Sequence, residues 1–273
     1  MSRIAGRFQQ LAEQGRTALI PYIVAGDPGQ DVTVQLMHRL VERGADIIEL
    51  GVPFSDPMAE GPVIQQAHER ALANGTTLAA VLGMVRDFRK SDSTTPVLLM
   101  GYANPVMHMG YAAFADAAAA VGLDALLTVD IPPEEVDGIN AELQRVGMDN
   151  IFLVAPTTPD ERIARIAARA SGFIYYVSLK GVTGAGHLDT GDVARRLEAI
   201  RGHSDLPIAV GFGIKDADSA RAVAAVADGV VVGSALVNAM AQAIEDGDGV
   251  EAAVSAAAEL LGQIRKGIDS TAS

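Results

Sequence analysis

Short apolar runs rich in β-branched residues recur along the whole chain, and segments with helical spacing separate them. Residues 133–146 and 161–170, for example, form amphipathic segments between consecutive runs. This alternation is typical of βαβ units, in which a helix connects two parallel strands of one sheet. Eight such runs occur, at residues 18–25, 46–51, 96–101, 124–130, 150–155, 173–178, 207–211 and 228–232.

Eight βα units within 273 residues predict a closed (β/α)₈ TIM barrel, an α/β fold that commonly runs to about 250 residues as one domain. An open, doubly wound sheet is the alternative, but no Gly-x-Gly-x-x-Gly turn follows the first run. The chain has no long linker rich in Pro, Gly and Ser. We therefore expect residues 1–273 to form a single domain.

Extra helical segments decorate the predicted barrel. Apolar residues at helical spacing in residues 2–13 predict an N-terminal helix that covers one end of the barrel. Residues 77–89 form a second segment before the third strand, and residues 250–264 form the last one. Three basic residues on a helical pattern are expected to form a solvated face: Arg86, Arg89 and Lys90.

Charge and cysteine content exclude several classes of protein. The net charge is −13 and no basic cluster occurs, whereas a nucleic-acid-binding face is basic. Without cysteine, neither disulfides nor thiolate metal ligands are possible, which fits a reducing compartment such as the cytoplasm. The N-terminus lacks the apolar core of a signal peptide, and two aspartates interrupt the most apolar stretch, residues 112–129. We therefore expect a cytoplasmic protein that binds neither nucleic acid nor membranes.

Glu49 lies inside the second apolar run. Side chains alternate along a strand, so Glu49 shares one face with Ile47 and Gly51. We expect this face to point into the barrel, near the C-terminal strand ends where barrel enzymes have their active sites. Burial there would raise the pKa of the carboxyl group and let it act as acid and as base in one cycle. The alternative is a structural glutamate bonded to a neighbouring hydroxyl, such as that of a tyrosine on a nearby strand.

The loop after the second strand, residues 52–62, contains three prolines, Ser55, Asp56 and Glu60. Long loops of this kind are commonly lids or binding loops, and a plain surface connection is the alternative. Glycine-rich turns follow the last three strands. Such turns let backbone N–H groups approach a phosphate group, especially where Ser234 begins a helix, although glycines also serve tight turns. These turns are residues 181–186, 211–213 and 233–234.

Lysines and histidines restrict the chemistry further. The chain's lysines are Lys90, Lys180, Lys215 and Lys266. None falls within a predicted strand, which argues against a Schiff-base lysine. The histidines show no ligand-like spacing at strand ends, and His38 and His68 are expected to lie on helices, so no catalytic metal is predicted. With a Schiff-base lysine and a catalytic metal disfavoured, we expect acid–base catalysis without a cofactor, acting on a phosphorylated small molecule.

Four motifs identify a family. They are IELGVPFSDPMAEGPVIQ at residues 48–65, GYANP at 101–105, GVTG at 181–184, and GFG at 211–213 together with GS at 233–234. Together they resemble the tryptophan synthase α chain family, and the resemblance covers nearly the whole chain. It implies a TIM-barrel lyase that cleaves indole-3-glycerol phosphate to indole and glyceraldehyde 3-phosphate by a retro-aldol step, in tryptophan biosynthesis and without a metal.

The resemblance also implies individual roles. Glu49 matches the family's main acid–base group, and Tyr175 matches a tyrosine near it. Glu60 matches the second carboxylate, which accepts the indole N–H and stabilises positive charge on the ring. The family usually has Asp at this position. The extra methylene of Glu60 adds about 1.5 Å of reach and keeps the charge, so we expect functional equivalence.

Further positions match the family's binding sites, although pocket positions are also compatible with ordinary core. Tyr22 stands where many members have Phe, and Met100 where many have Leu. The phosphate-binding turns correspond to Gly184, Gly213, Gly233 and Ser234. The indole and glycerol pocket corresponds to Tyr22, Ile64, Met100, Tyr102, Thr183, Gly211 and Phe212. The loop that faces a partner subunit corresponds to Pro53, Asp56 and Pro57.

The family acts as an α₂β₂ heterotetramer, so the resemblance implies a β subunit as partner. Pyridoxal phosphate belongs to that subunit, and no cofactor is expected in this chain. One alternative is an α chain weakened as a lyase by Glu60, which activates the β subunit allosterically. A second is a stand-alone lyase that releases indole. A different phosphate-binding barrel isomerase or synthase is disfavoured by the Pro-Phe-Ser-Asp-Pro loop.

Overall fold

Eight parallel strands close into one barrel in sequence order, with β8 pairing back to β1. The computed structural model describes residues 2–178, 190–211 and 213–270. The predicted fold class is confirmed, and each predicted run overlaps one strand. The strands are β1 (Ala18–Val24), β2 (Ile48–Gly51), β3 (Val97–Gly101), β4 (Ala125–Thr128), β5 (Asp149–Val154), β6 (Ile174–Val177), β7 (Ile208–Gly211) and β8 (Gly229–Val232).

Helices cover the outside of the barrel and account for the continuous apolar runs. A strand of a parallel barrel is buried on both faces, and every residue of β1, for example, is buried. The described helices are α1 (Arg3–Glu13), α2 (Gln30–Glu42), α3 (Pro62–Ala73), α4 (Leu78–Phe88), α5 (Ala103–Met109), α6 (Tyr111–Ala120), α7 (Asp137–Arg145), α8 (Asp160–Ala167), α9 (Thr190–Arg201), α10 (Ala217–Ala224), α11 (Ser234–Glu245) and α12 (Val250–Asp269).

Helix α1 covers the N-terminal end of the barrel, as predicted. The Ser2 hydroxyl caps the helix by accepting the Ala5 N–H at 3.2 Å. The Phe8 ring lies 5.6 Å from the ring of Phe173, which directly precedes β6. Arg3 donates to the Asp124 carboxylate, directly before β4, at 2.7 Å. The opposite end, where the strands finish, therefore remains available for a site.

Arg89 does not lie on a solvated face, and that prediction was wrong. Its side chain is only 10% exposed and pairs with Asp124 at 2.7 Å. The guanidinium group also donates to the backbone carbonyls of Gly122, Asp92 and Thr95. These acceptors lie in the connections that lead into β3 and β4. Arg89 therefore links the two connections at the N-terminal end of the barrel. Arg86 and Lys90 are largely exposed, as predicted.

No helix among the described residues is both long enough and apolar enough to span a membrane.

Candidate active site

Glu49 faces the interior of the barrel. It pairs in register with Tyr22 of β1 and Leu98 of β3, and residues paired in this way point to the same face of a sheet. Tyr175 lies on β6, on the opposite side of the closed barrel from β2. Glu49 nevertheless contributes to raising the pKa of Tyr175, after the larger effect of burial. Two groups on opposite strands interact in this way across the interior, which places Glu49 inside.

The Glu49 carboxyl group is buried without a partner. The residue is 0% exposed, and neither carboxyl oxygen has a hydrogen-bond partner among the described residues. Burial raises its pKa to about 8, because a charged carboxylate loses its hydration there. The structural alternative requires a bond from a neighbouring hydroxyl group, such as that of a tyrosine, and no described residue makes one. A carboxyl group with a pKa near neutrality is suited to both giving and taking a proton.

The rings of two tyrosines pack directly on glycines of the next strand. The Tyr22 ring packs on Gly51, where an added Cβ would lie 2.8 Å from the ring carbon Cζ. The Tyr175 ring packs on Gly211 in the same way, and an added Cβ there would lie 2.8 Å from the ring carbon Cε1. In both cases the glycine pairs with the residue two positions beyond the tyrosine. Glycine at these positions makes room for two phenol groups above the Glu49 layer.

Replacing Gly211 with Ala tests this packing. The added methyl group forces the Tyr175 ring away, because the ring atoms lie closer than van der Waals contact allows. Overpacking of this kind typically costs about 1–3 kcal/mol of unfolding free energy. We expect that loss in chemical denaturation, with a lower rate of the site's reaction. Gly83→Ala is the control, because an added Cβ there meets only Arg86 Nη2, at 3.9 Å. Equal stability of the Gly211 and Gly83 variants would contradict the packing described.

Glu60 is held at the mouth of the barrel by Tyr102. The Tyr102 hydroxyl donates to Glu60 Oε2 and accepts the Ala59 N–H at 3.0 Å. The Tyr102 ring stacks on Phe54, with ring centroids 4.7 Å apart. Burial raises the pKa of Glu60, and the hydrogen bond from Tyr102 opposes that rise. A second carboxyl group therefore stands above the first, on the loop after β2.

His68 also reaches this region, and the sequence did not indicate its contact. The helical position was predicted correctly, because His68 lies on α3. Its Nε2 is 3.3 Å from the Tyr22 hydroxyl, and its Nδ1 accepts the Phe54 N–H at 2.9 Å. Burial lowers the pKa of His68 to about 4. The available signal was its position four residues after Ile64, on the same buried face of α3.

The predicted phosphate turns are described in part. Gly213 has φ +76°, a left-handed conformation that favours glycine. Ser234 begins α11 directly after β8, as predicted, and Gly233 precedes it. The first N–H groups of a helix point outward and attract anions. Three predicted site residues lie outside the described residues: Thr183, Gly184 and Phe212.

The remaining pocket and loop residues lie around the same mouth. Met100 pairs with Gly51, one layer above Glu49, and Ile64 is 5% exposed on α3. Asp56 and Pro57 line part of a groove of about 310 Å³ between the loop and α3 residues Gln65 and Glu69. Pro53 is buried within the chain itself. In the part of the chain that the structure describes, no three His, Asp or Glu side chains are grouped as metal ligands.

Comparison with known proteins gives a consistent result over nearly the full length. Residues 8–267 match the model of a family described as the tryptophan synthase alpha chain. The tryptophan synthase alpha chain of Thioalkalivibrio sulfidiphilus is 61% identical over 269 residues, which cover 98% of this chain and 100% of that protein. The alpha chain of Nitrosococcus oceani is 57% identical over 271 residues, which cover 99% of each chain.

Solved structures agree with these matches. A crystal structure of tryptophan synthase subunit alpha from Legionella pneumophila superposes with a TM-score of 0.92, at 46% identity over 99% of each chain. The aminoacrylate-bound form of tryptophan synthase from M. tuberculosis has a chain that superposes with a TM-score of 0.87. That chain is 34% identical, and the match covers 98% of this chain and 100% of that one.

Proposed function

This chain belongs to the tryptophan synthase alpha chain family, and we propose that Glu49 and Glu60 perform the acid–base and electrostatic work of its reaction. The chain is a lyase of tryptophan biosynthesis that cleaves indole-3-glycerol phosphate to indole and glyceraldehyde 3-phosphate. One observation carries the proposal for its residues: Glu49 is fully buried on the interior face of the barrel and has no hydrogen-bond partner among the described residues.

Glu49 transfers the protons in this proposal. Carbon 3 of the indole ring must gain a proton, and the glycerol hydroxyl must lose one as the carbon–carbon bond breaks. Burial raises the pKa of Glu49 to about 8, so the protonated form is available at neutral pH to protonate carbon 3. The resulting carboxylate then accepts the hydroxyl proton. One group thus serves both steps and ends in its starting state.

Glu60 stabilises the charge that develops on the indole ring. Its carboxylate accepts the indole N–H, and preorganised groups of this kind commonly contribute about 2.7–4 kcal/mol to transition-state stabilisation. Tyr102 holds the carboxylate by donating to Oε2 before substrate binds. Tyr175 shapes the pocket on the other side of Glu49, and its burial keeps the phenol protonated by raising its pKa.

We assign the remaining site residues to substrate binding. We assign the phosphate group to the backbone of Gly184, Gly213, Gly233 and Ser234, where the start of α11 offers free N–H groups. Met100 and Ile64 supply apolar walls near the barrel mouth. The rest of the indole and glycerol pocket is assigned to Tyr22, Tyr102, Thr183, Gly211 and Phe212.

A β subunit is the partner that membership of this family implies. We infer an α₂β₂ heterotetramer in which the β subunit carries pyridoxal phosphate and this chain carries no cofactor. The loop with Pro53, Asp56 and Pro57 is assigned to the interface. Met58 on this loop is 81% exposed and Met107 on α5 is 60% exposed, so both leave apolar side chains at the surface. We also infer a single domain over residues 1–273 and a cytoplasmic location, in keeping with amino-acid biosynthesis.

The Glu60→Asp variant tests whether the longer side chain of Glu60 lowers the rate of the lyase reaction. Neighbouring loop residues such as Asp56 and Met58 are exposed, so the loop has room to absorb one methylene. We expect a change in lyase rate of less than about tenfold, whereas a 1 Å misplacement in a rigid site costs about 100-fold. Glu60→Gln, which keeps the shape without the charge, should cost more. A hundredfold gain in Glu60→Asp would instead favour a weakened lyase that serves mainly to activate the β subunit.

Indole release from indole-3-glycerol phosphate tests the proposed assembly. The purified chain is assayed alone and with the β subunit of a close relative. We expect slow release alone and a large rise when the β subunit is added. Full activity alone, with no co-elution of the β subunit, would show a stand-alone lyase. No release in either case, with the β subunit still activated, would show a regulatory chain.

A further inference from the structure

The turn that carries Glu60, residues 57–60, has little packing of its own. Met58 at this turn is 81% exposed, and Ala59 is exposed as well. Among the described residues, no backbone–backbone hydrogen bond joins residues 53–60 to another segment of the chain. Neither apolar burial nor pairing with another backbone segment therefore fixes the turn, and side-chain contacts must do so.

Gln65 binds both ends of this turn from the start of α3. Its side-chain Nε2 donates to the Glu60 carbonyl oxygen at 3.0 Å and to the Pro57 carbonyl oxygen at 3.3 Å. A primary amide has two N–H donors, so one side chain can bond both carbonyls. The backbone N–H of Gln65 donates to the Gly61 carbonyl at 3.0 Å, as part of the first turn of α3. The side chain that holds the turn therefore projects from a formed helix.

Tyr102 holds the same turn by different groups. Its hydroxyl group accepts the Ala59 N–H at 3.0 Å and donates to the Glu60 carboxylate. Tyr102 therefore contacts the carboxylate that the proposed mechanism uses, whereas the Gln65 side chain bonds only backbone carbonyls. The bonds from Gln65 set where the backbone of Glu60 lies, and Tyr102 then sets the direction of its side chain.

We propose that Gln65 positions Glu60 for the lyase reaction by fixing the turn of residues 57–60 on α3. The inference rests on the proposed role of Glu60, which accepts the indole N–H. Gln65 is a positioning residue, because its bonds go to backbone carbonyls and it acts through Glu60. Without these bonds the turn can move toward solvent, since Met58 and Ala59 already face it. A misplacement of about 1 Å can lower a rate about 100-fold.

Gln65→Met tests this positioning, because it keeps the length of the side chain and removes both N–H donors. Indole release is measured for the full-length chain alone and with a related β subunit. We expect kcat to fall about tenfold or more in both cases, and KM to change less, because Glu60 contributes most as charge develops on the ring. Gln65→Lys keeps N–H donors at similar reach and should recover part of kcat. A fall that occurs only with the β subunit would make Gln65 an interface residue and overturn the proposal.

Two comparisons separate positioning from general packing. Gln66→Met makes the same change at the next position of α3, which is exposed, and should leave kcat unchanged. In a Glu60→Gln background, Gln65→Met should lower kcat by less than about twofold, because residues that act through one another are not additive. An equal fall in both backgrounds would show a structural role for Gln65 and overturn the proposal, as would an unchanged kcat in Gln65→Met.

Titration of Glu60 gives a readout that does not depend on catalysis. Burial raises the pKa of Glu60, so release of the turn into solvent should lower that pKa in Gln65→Met. NMR of the full-length chain labelled with ¹³C-glutamate follows the carboxyl signals against pH, and Glu60→Gln identifies the signal. An unchanged pKa in Gln65→Met would mean that the turn stays in place, which overturns the proposal.

Failure of the proposed function is read from a different variant. Full lyase activity of Glu60→Gln would remove Glu60 from the mechanism, whereas the titration would still report whether Gln65 holds the turn. Thermal unfolding of each variant identifies any that misfold. If Gln65→Met does so, Gln65→Leu, which also lacks N–H donors, takes its place in the same comparisons.

Discussion

Glu49→Gln should lower the rate of indole release by about 10²–10⁴-fold, the range that a general acid–base group commonly contributes. The substitution keeps the size and shape of the side chain and removes its ability to ionise, because an amide neither releases nor takes up a proton near neutral pH. Because Glu49 is 0% exposed and meets no described partner, little else should change. The assay is release of indole in single turnovers, with a related β subunit present.

Two comparisons make that result specific. Glu259→Gln makes the same chemical change at an exposed position on α12 and should leave the rate unchanged. Activation of the β subunit by Glu49→Gln should persist, because the surface of the chain is intact. A Glu49→Gln chain within tenfold of the parent rate would remove Glu49 from the proton-transfer step.

The same substitution should stabilise the fold at alkaline pH. The pKa of Glu49 is about 8 in the folded chain and 4.5 for an unburied glutamate. The folded state therefore binds this proton more tightly than the unfolded state, which favours folding fully below pH 4.5 and progressively less up to pH 8. Above pH 8 the parent carries the whole cost of a buried charge. A difference of about 3.5 units corresponds to about 5 kcal/mol of unfolding free energy.

Glu49→Gln should therefore exceed the parent in stability by up to about 5 kcal/mol at pH 9, and by little at pH 4. Denaturant unfolding at several pH values measures this difference, provided that two probes give coincident transitions. Glu259→Gln again serves as the control, since its side chain is exposed. A Glu49→Gln chain with the parent's stability at pH 9 would mean that Glu49 is ionised at little cost in the folded protein.

Barrel architecture was predictable because it depends on a repeated pattern. Continuous apolar runs mark strands that are buried on both faces, and the closed sheet uses every one of them. Strand ends were less predictable. The fourth run was assigned to residues 124–130, whereas β4 spans Ala125–Thr128. Asp124 precedes it with a carboxylate that accepts the Val97 N–H and pairs with Arg89.

Contacts between distant segments could not be predicted from the sequence. A helical pattern assigns Arg89 to the helical segment at residues 77–89, but it does not show that Arg89, directly after α4, turns toward the N-terminal end of the barrel. The contact between His68 and Tyr22 joins residues 46 positions apart and depends on how α3 packs against β1. The position of Glu49 was easier to predict, because a carboxylate inside an apolar strand is costly and is expected mainly at a functional site or in a specific hydrogen bond. Its position could be inferred, but its lack of any described partner needed the structure.

Glu49 is proposed to move the proton at carbon 3 of indole. Exchange of that hydrogen with solvent, followed by NMR in D₂O with indole and glyceraldehyde 3-phosphate, measures this step through the reverse reaction. The parent chain should replace the hydrogen with deuterium, and Glu49→Gln should do so no faster than the protein-free solution while still binding indole. Exchange by Glu49→Gln at the parent rate would contradict the account, because another group would then carry the proton.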